Sequence, residues 1–288
     1  MEQAEKLKYK LSEEEHYRIY KKIEEVVFGN AKKSERPIAI IVGGQSGSGK
    51  GAVISYSKRQ AEMSGKNMII ISTDEYKPFH PNAADLAKKF PTDYVEIIEQ
   101  DAGLWTGQIL KKAIDEKYSF IFEGTLKNDR IMDRIKELKQ NGFMVIVRAL
   151  AVPKVESLIS IHERYQAQIE NLGFGRLISS KQHNQAYIGV PQTIDTIEKS
   201  GLCTVEIYKR GIIMSNPKLI YSSQKKDRTY ANARMALVEG RKSEERRSYA
   251  TALERFEKLK NAYQSRNATI EEIEELGKIE KEIEELVK

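Results

Sequence analysis

The stretch Ile38-Ala39-Ile40-Ile41-Val42-Gly43-Gly44-Gln45-Ser46-Gly47-Ser48-Gly49-Lys50-Gly51 is an apolar run that passes directly into a glycine-rich turn. Ile38 to Val42 reads as a buried strand, and Ala52 to Met63 after the turn reads as a helix. Between them, Gly44 to Lys50 fits the phosphate-binding P-loop at every fixed position, and Gly51 stands where Ser or Thr is expected. Strand, turn and helix are the context the motif needs. Glycines let backbone N–H groups curl around a phosphate without Cβ clashes, and the helix N-terminus adds partial positive charge. Lys50 is placed to reach the β- and γ-phosphates, whereas Gly51 lacks the hydroxyl that ordinarily holds Mg²⁺. The expected ligand is a nucleoside triphosphate, ATP or GTP, with a metal site altered at one position.

Further apolar runs read as parallel strands covered on both faces: Met68–Ile71, Ser119–Phe122 and Met144–Val147. Helical patterns near Leu104–Asp115 and Asp129–Gln140 lie between them. The alternation predicts a doubly wound, mostly parallel α/β sheet with helices on both faces. Thr204–Tyr208 and Lys218–Tyr221 read as strands that complete or extend it. Upstream, Ser12-Glu13-Glu14-Glu15 is a capping box before a helix carrying Ile19, Ile23 and Val27. Downstream of about Tyr230 the chain turns charged and helical. Ile270, Ile273, Leu276, Ile279, Ile283 and Leu286 recur every three or four residues, an amphipathic helix that packs on something. The predicted organisation is an N-terminal helical segment (1–36), a P-loop core (37–229) and a helical C-terminal extension (230–288) packed on it.

With 288 residues, 40% of them hydrophobic and 31% charged, the chain can bury a substantial core. Its net charge of +6 suits an anionic ligand but is too small to argue for nucleic acid. The single cysteine, Cys203, excludes an intrachain disulfide and fits a reducing compartment. The charged start, Met1 to Lys6, lacks the apolar core of a signal peptide, and no run is long enough to span a bilayer. A cytoplasmic protein is expected. The four histidines do not cluster as metal ligands, and Trp105 and Phe143 read as core.

Candidate chemistry sits at the carboxyl ends of the strands, where this topology forms its crevice. Asp74, after the second strand, can accept a proton from an acceptor hydroxyl, bind Mg²⁺ through water, or cap the following helix. Glu123 ends the third strand beside Gly124, either facing a ligand or bonded to the P-loop from behind. Arg164 falls on a predicted helix and Arg176 in the glycine-flexed loop Gly173–Arg176. Each can neutralise a triphosphate or simply be solvated.

In order along the chain, these blocks resemble the zeta-toxin family of P-loop kinases, the toxin half of epsilon/zeta toxin–antitoxin systems. The resemblance runs from Pro37 to Tyr221. It rests on the P-loop, Ile71-Ser72-Thr73-Asp74-Glu75-Tyr76 with His80-Pro81-Asn82, Phe122-Glu123-Gly124-Thr125, Ala151-Val152-Pro153-Lys154, Glu163-Arg164-Tyr165, and Arg176 ahead of Lys181-Gln182. It implies transfer of the ATP or GTP γ-phosphate, with Mg²⁺, to a hydroxyl of UDP-N-acetylglucosamine, and an antitoxin partner. By the same resemblance Asp74 is the base and Lys50, Arg164 and Arg176 bind the triphosphate. His80, Glu123 and Thr125 join Asp74 at the substrate. No direct metal ligand is assigned, which leaves Asp74 or Glu123 to act through water. Leu126 replaces a glycine that many members carry, and Lys127 stands at a position that is basic in many of them. Another nucleotide or dinucleotide hydroxyl, or nucleotide binding with weakened catalysis, are the alternative readings.

Overall fold

A computed structural model describes residues 9–90, 94–124, 126–127, 130–211, 215–225 and 229–286. Its centre is β1 (Ile38–Gly43), buried along its whole length because both faces of the sheet are covered. Ala39 and Ile41 join one core cluster with Trp105, Phe120, Phe143 and Val147. Ile38, Ile40 and Val42 join another with Val53, Ile54 and Ala61. Period-two alternation in a wholly apolar strand thus serves two cores at once.

Around β1 the sheet has the order β2-β3-β1-β4-β5-β6. β2 (Ile69–Ile71), β3 (Phe120–Gly124), β4 (Met144–Ala151) and β5 (Thr204–Lys209) run parallel to β1, and β6 (Lys218–Ser222) closes the edge antiparallel to β5. The chain leaves β1 for β2 and β3 on one side and for β4 and β5 on the other. The P-loop therefore sits at the switch in strand order, where doubly wound sheets open a crevice.

Helices α1 (Glu13–Phe28), α2 (Lys50–Met63), α3 (Thr73–Tyr76), α4 (Ala83–Lys89), α5 (Tyr94–Asp115), α6 (Arg130–Gln140), α7 (Lys154–Leu172), α8 (Ser180–Lys199), α9 (Ala233–Ser265) and α10 (Ile270–Glu285) complete the chain. The capping box of α1 forms as expected: Ser12 Oγ accepts from Glu15 N, and the Glu15 carboxylate accepts from Ser12 N. Two elements run longer than the sequence pattern indicates. α5 begins at Tyr94 rather than near Leu104, because Val95, Ile98, Ala102, Trp105 and Ile109 keep helical spacing into the core. Gly103 and Gly107 interrupt the pattern only on a face where a Cβ would meet nothing. β4 continues through Arg148 to Ala151, since the buried guanidinium is satisfied by Glu206 on β5 (2.9 Å) and Ser57 on α2 (2.6 Å).

The C-terminal helices divide their packing. Ala233, Ala236 and Leu237 at the start of α9 lie in the main core beside Val205 and Tyr221. Ala252, Phe256, Leu259 and Tyr263 further along form a separate cluster with Val155, Leu158 and Ile159 of α7 and Leu276, Ile279 and Ile283 of α10. No helix among the described residues is long and apolar enough to cross a membrane.

Candidate active site

Two glycines give the P-loop its shape. Gly47 and Gly49 take φ of +73° and +87°, the left-handed region that glycine enters without strain. At Gly47 a Cβ would also stand 2.0 Å from the Ser157 carbonyl oxygen. Gly49 precedes the first turn of α2 with no side-chain cap, which leaves backbone N–H groups to face an anion. Lys50 Nζ donates to the carbonyls of Gly44 (3.3 Å) and Gln45 (3.4 Å) and lies 3.8 Å from Glu123 Oε1. Burial pushes the Lys50 ammonium below its usual range, and the Glu123 charge only partly offsets that. Its present partners are long and mostly neutral, so phosphate oxygens would be better ones. The loop and its lysine fit a triphosphate.

Glu123, in register with Val42 of β1, accepts from Ser72 Oγ at 2.9 Å. Lys50 and Ser72 thus follow β1 and β2, and Glu123 stands at the carboxyl end of β3. At Gly51 a Cβ would meet nothing within 4 Å. The position has room for a side chain and offers no hydroxyl to a metal.

Beyond the P-loop, a cavity of about 210 Å³ is lined by Asp74, Lys77, Tyr94, Arg164, Gln168 and Arg176, together with Val95. Asp74 is 63% exposed at its rim and accepts from Lys77 Nζ at 2.5 Å. Asp74 lies inside α3, after the N-cap Ser72, so it does not serve as the helix cap. Recession into the cleft opposes its ionisation. The Lys77 hydrogen bond and charge, with Arg176 and Arg164 across the cavity, outweigh that and hold the carboxyl below its usual range. It is an ionised acceptor at neutral pH. A larger groove of about 540 Å³ runs between the end of α1, α2 and β2, but no P-loop residue lines it.

The arginines arrive from different elements. Arg164 lies on α7, and Arg176 follows the Gly173 that ends that helix at φ +79°. The returning loop is held against α7, with Gln168 Oε1 accepting from Arg176 N at 3.0 Å and Gly175 packed where a Cβ would meet Tyr165 at 2.9 Å. Tyr94 meets Phe174 edge-on at 5.9 Å, which ties the same loop to α5. Among the described residues the Arg176 guanidinium has only a loose ion-pair partner, Glu99 at 3.8 Å.

Of the expected substrate residues, His80 lies away from this cavity. His80 is 2% exposed, with Nε2 3.5 Å from Asp101 Oδ2 and Nδ1 accepting from Asn82 N. It packs toward Asp101 of α5 and is not among the residues that line this cavity. Thr125 lies outside the described residues. The neighbouring Leu126 has φ +51° and is buried against Gly43, so it keeps the backbone shape that glycine ordinarily supplies. Lys77, Tyr94 and Gln168 were not anticipated as cavity residues. The sequence signal for Lys77 was its place one helical turn after Asp74. Arg210, at the end of β5, was likewise unforeseen: it donates to the Gly47 carbonyl and to Ser160 Oγ (3.2 Å).

Fold and site define a P-loop protein of the kinase-like α/β class. The zeta toxin family model matches residues 23–234, and the chain belongs to that family. Toxin zeta of Enterococcus hirae is 29% identical over 196 residues, 67% of each chain. Toxin PezT of Streptococcus pneumoniae is 32% identical over 136 residues, 47% of this chain and 53% of PezT. A solved structure from the PezAT chromosomal toxin–antitoxin system of Streptococcus pneumoniae superposes with a TM-score of 0.72 at 22% identity, covering 87% of this chain and 98% of that one. The AvrRxo1-ORF1:ORF2 structure with ATP gives 0.51 at 13% identity, over 72% and 67% of the two chains.

Proposed function

We propose that this protein is a phosphotransferase that moves the γ-phosphoryl group of ATP or GTP to a hydroxyl of UDP-N-acetylglucosamine or a related nucleotide sugar, and that an antitoxin restrains it in the cell. One arrangement carries the reading: the ionised Asp74 faces Arg164 and Arg176 across a single cavity, within the field of Lys50. Asp74 takes the proton of the acceptor hydroxyl. Lys50 and the P-loop amides hold the β- and γ-phosphates, while Arg164 and Arg176 neutralise charge on the group in transfer. Glu123 and Thr125 are assigned to the acceptor side. Magnesium, when bound, supplies charge neutralisation between the phosphates, and Glu123 or Asp74 would hold it through water. Family membership supports the toxin reading, and the PezAT system supports a partner protein.

The test is to incubate the protein with ATP, Mg²⁺ and a cell extract and search for masses shifted by one phosphate. UDP-N-acetylglucosamine alone serves as the direct acceptor. A phosphorylated nucleotide sugar, absent with Lys50→Ala, is expected; equal yield from the variant would refute the assignment.

Gly51 favours a second reading, nucleotide binding with slowed transfer. Open space at that position means Gly51→Thr is accommodated without a clash. A large rise in Mg²⁺-dependent transfer would identify the natural chain as metal-attenuated, and an unchanged rate would mean the site is rebuilt around the glycine.

A further inference from the structure

We propose that α9 is a working part of the nucleotide cradle, and that Arg241 is a positioning residue that holds the P-loop through Gln45. The inference rests on reading the P-loop as a nucleotide site. A loop with glycines at 44, 47 and 49 loses much conformational freedom when it orders, so its binding shape needs a tether.

Gln45 provides the point of attachment. Its side chain is fully buried and its amide is held at both ends. Nε2 donates to the Val152 carbonyl at 3.0 Å, and Oε1 accepts from Arg241 at 3.1 Å. The backbone carbonyl of the same residue accepts from Ser48 N and Lys50 Nζ, so fixing Gln45 fixes both.

Arg241 reaches this point from a position 196 residues further along the chain. It is 4% exposed, donates also to the Tyr187 carbonyl (2.9 Å) and lies 3.9 Å over the Tyr187 ring. No carboxylate among the described residues pairs with it. Burial pushes its guanidinium down to about 10. An apolar side chain of similar size would serve packing as well or better, so stability alone does not account for the arginine. The helix is seated for this contact. At Gly240 a Cβ would stand 2.8 Å from Ala151 Cβ and 2.9 Å from Ile220 Cδ1, which means α9 lies too near the sheet for any other residue. A second route runs in parallel. Arg255 of α9 donates to Glu163 and to Ser160 on α7, and Ser160 Oγ also accepts from Arg210, which holds the Gly47 carbonyl.

The test is calorimetric titration of the full chain with ATP and Mg²⁺. Arg241→Met is expected to weaken binding about tenfold, since it leaves the Gln45 oxygen buried without a donor. Its unfolding temperature without nucleotide should fall only modestly, as expected for one buried acceptor left without a donor. Gln45→Ala should weaken binding similarly, and the double variant should be no weaker than the worse single one, because both act through one contact. Phe256→Leu, a control in the far cluster of the same helix, should lose stability and keep its affinity. If Arg241→Met fails to fold, Gly240→Ala reads the same link, with an affinity loss expected from displacement of the helix. Affinities within about twofold of wild type, full additivity of the two losses, or an equal loss in the control would each overturn the proposal. A wild-type chain that binds no ATP would instead overturn the nucleotide reading beneath it.

Discussion

Around the P-loop, charged groups face each other at a distance. Lys50 is 3.8 Å from Glu123, Arg176 is 3.8 Å from Glu99, and Asp74 is largely open to solvent. Between α7, α9 and α10 the opposite holds. Glu272, 6% exposed, accepts from Arg266 at 2.8 Å, from Tyr165 at 2.5 Å and from the Thr269 amide at 2.6 Å. His162 Nδ1 meets the Tyr263 hydroxyl at 2.8 Å beside them. A charge already satisfied by its own protein has little to offer a ligand. Charges held slightly apart are incomplete until an anion or an acceptor hydroxyl arrives. The first region binds, and the second holds.

The contrast breaks most visibly at the first region. Asp74→Asn and Lys50→Ala are each expected to lower phosphotransfer by roughly 10²–10⁴, the range for loss of a positioned base or phosphate cation. Thermal unfolding should change little, because Lys50 has only long contacts and the Asp74–Lys77 pair is open to solvent. A variant that lost stability in proportion to activity would erase the distinction. The converse change is Glu272→Ala, which strands Arg266 and the Tyr165 hydroxyl. It is expected to cost about 3–5 kcal/mol in denaturant unfolding and to leave kcat and KM of the surviving folded protein near wild type.

Acid sharpens the comparison next. Burial holds His162 and His183 neutral, pushing each from 6.5 down to about 4. Groups depressed in the folded state contribute stability that is complete above pH 6.5 and is lost as pH falls toward 4. The unfolding midpoint should therefore drop across that window, by on the order of 3 kcal/mol per histidine at its acid end. His162→Phe should flatten the curve, at the cost of the Tyr263 contact. A midpoint that stays level from pH 7 to 4 would mean these rings are not held neutral.

How far the chain disclosed all this in advance depended on range. β1, the P-loop and the capping box of α1 rest on neighbours in sequence, and their local patterns survive folding unchanged. The cavity was legible in part. Asp74 lies at a strand end, a position that doubly wound sheets assign to ligands, and the arginines came with the ordered family blocks. The rest depends on distance. His80 came with the family blocks, and α5, which starts ten residues before the pattern read at Leu104, brings Asp101 against it. Arg148 and Arg241 look like surface charges in sequence. Each is buried because a partner far along the chain, Glu206 for one and Gln45 for the other, is brought to it by sheet order and helix docking. No local pattern encodes that meeting.

The smallest effect tests the cavity by itself. Among the described residues of the binding region, Lys77 makes the one tight ion pair, and it is bonded to the proposed base. In the folded protein it keeps Asp74 ionised below the usual carboxylate range, with Arg176 and Arg164 adding to the effect. The acid limb of the pH profile of kcat/KM should then lie below the usual carboxylate pKa, as transfer survives until Asp74 is protonated. Lys77→Met removes the hydrogen bond and the nearest charge and leaves the two arginines. The limb should move to higher pH. Above the limb the variant should equal or exceed wild type, because the carboxylate no longer has to release an ammonium before it accepts the acceptor proton. If the limb stays in place, the titration belongs to another group and Asp74 is not the base. If it moves down, Lys77 opposes ionisation of Asp74 and the geometry has been misread. Movement upward with an undiminished plateau would show that the one tight ion pair in this region restrains the base and does not build the site.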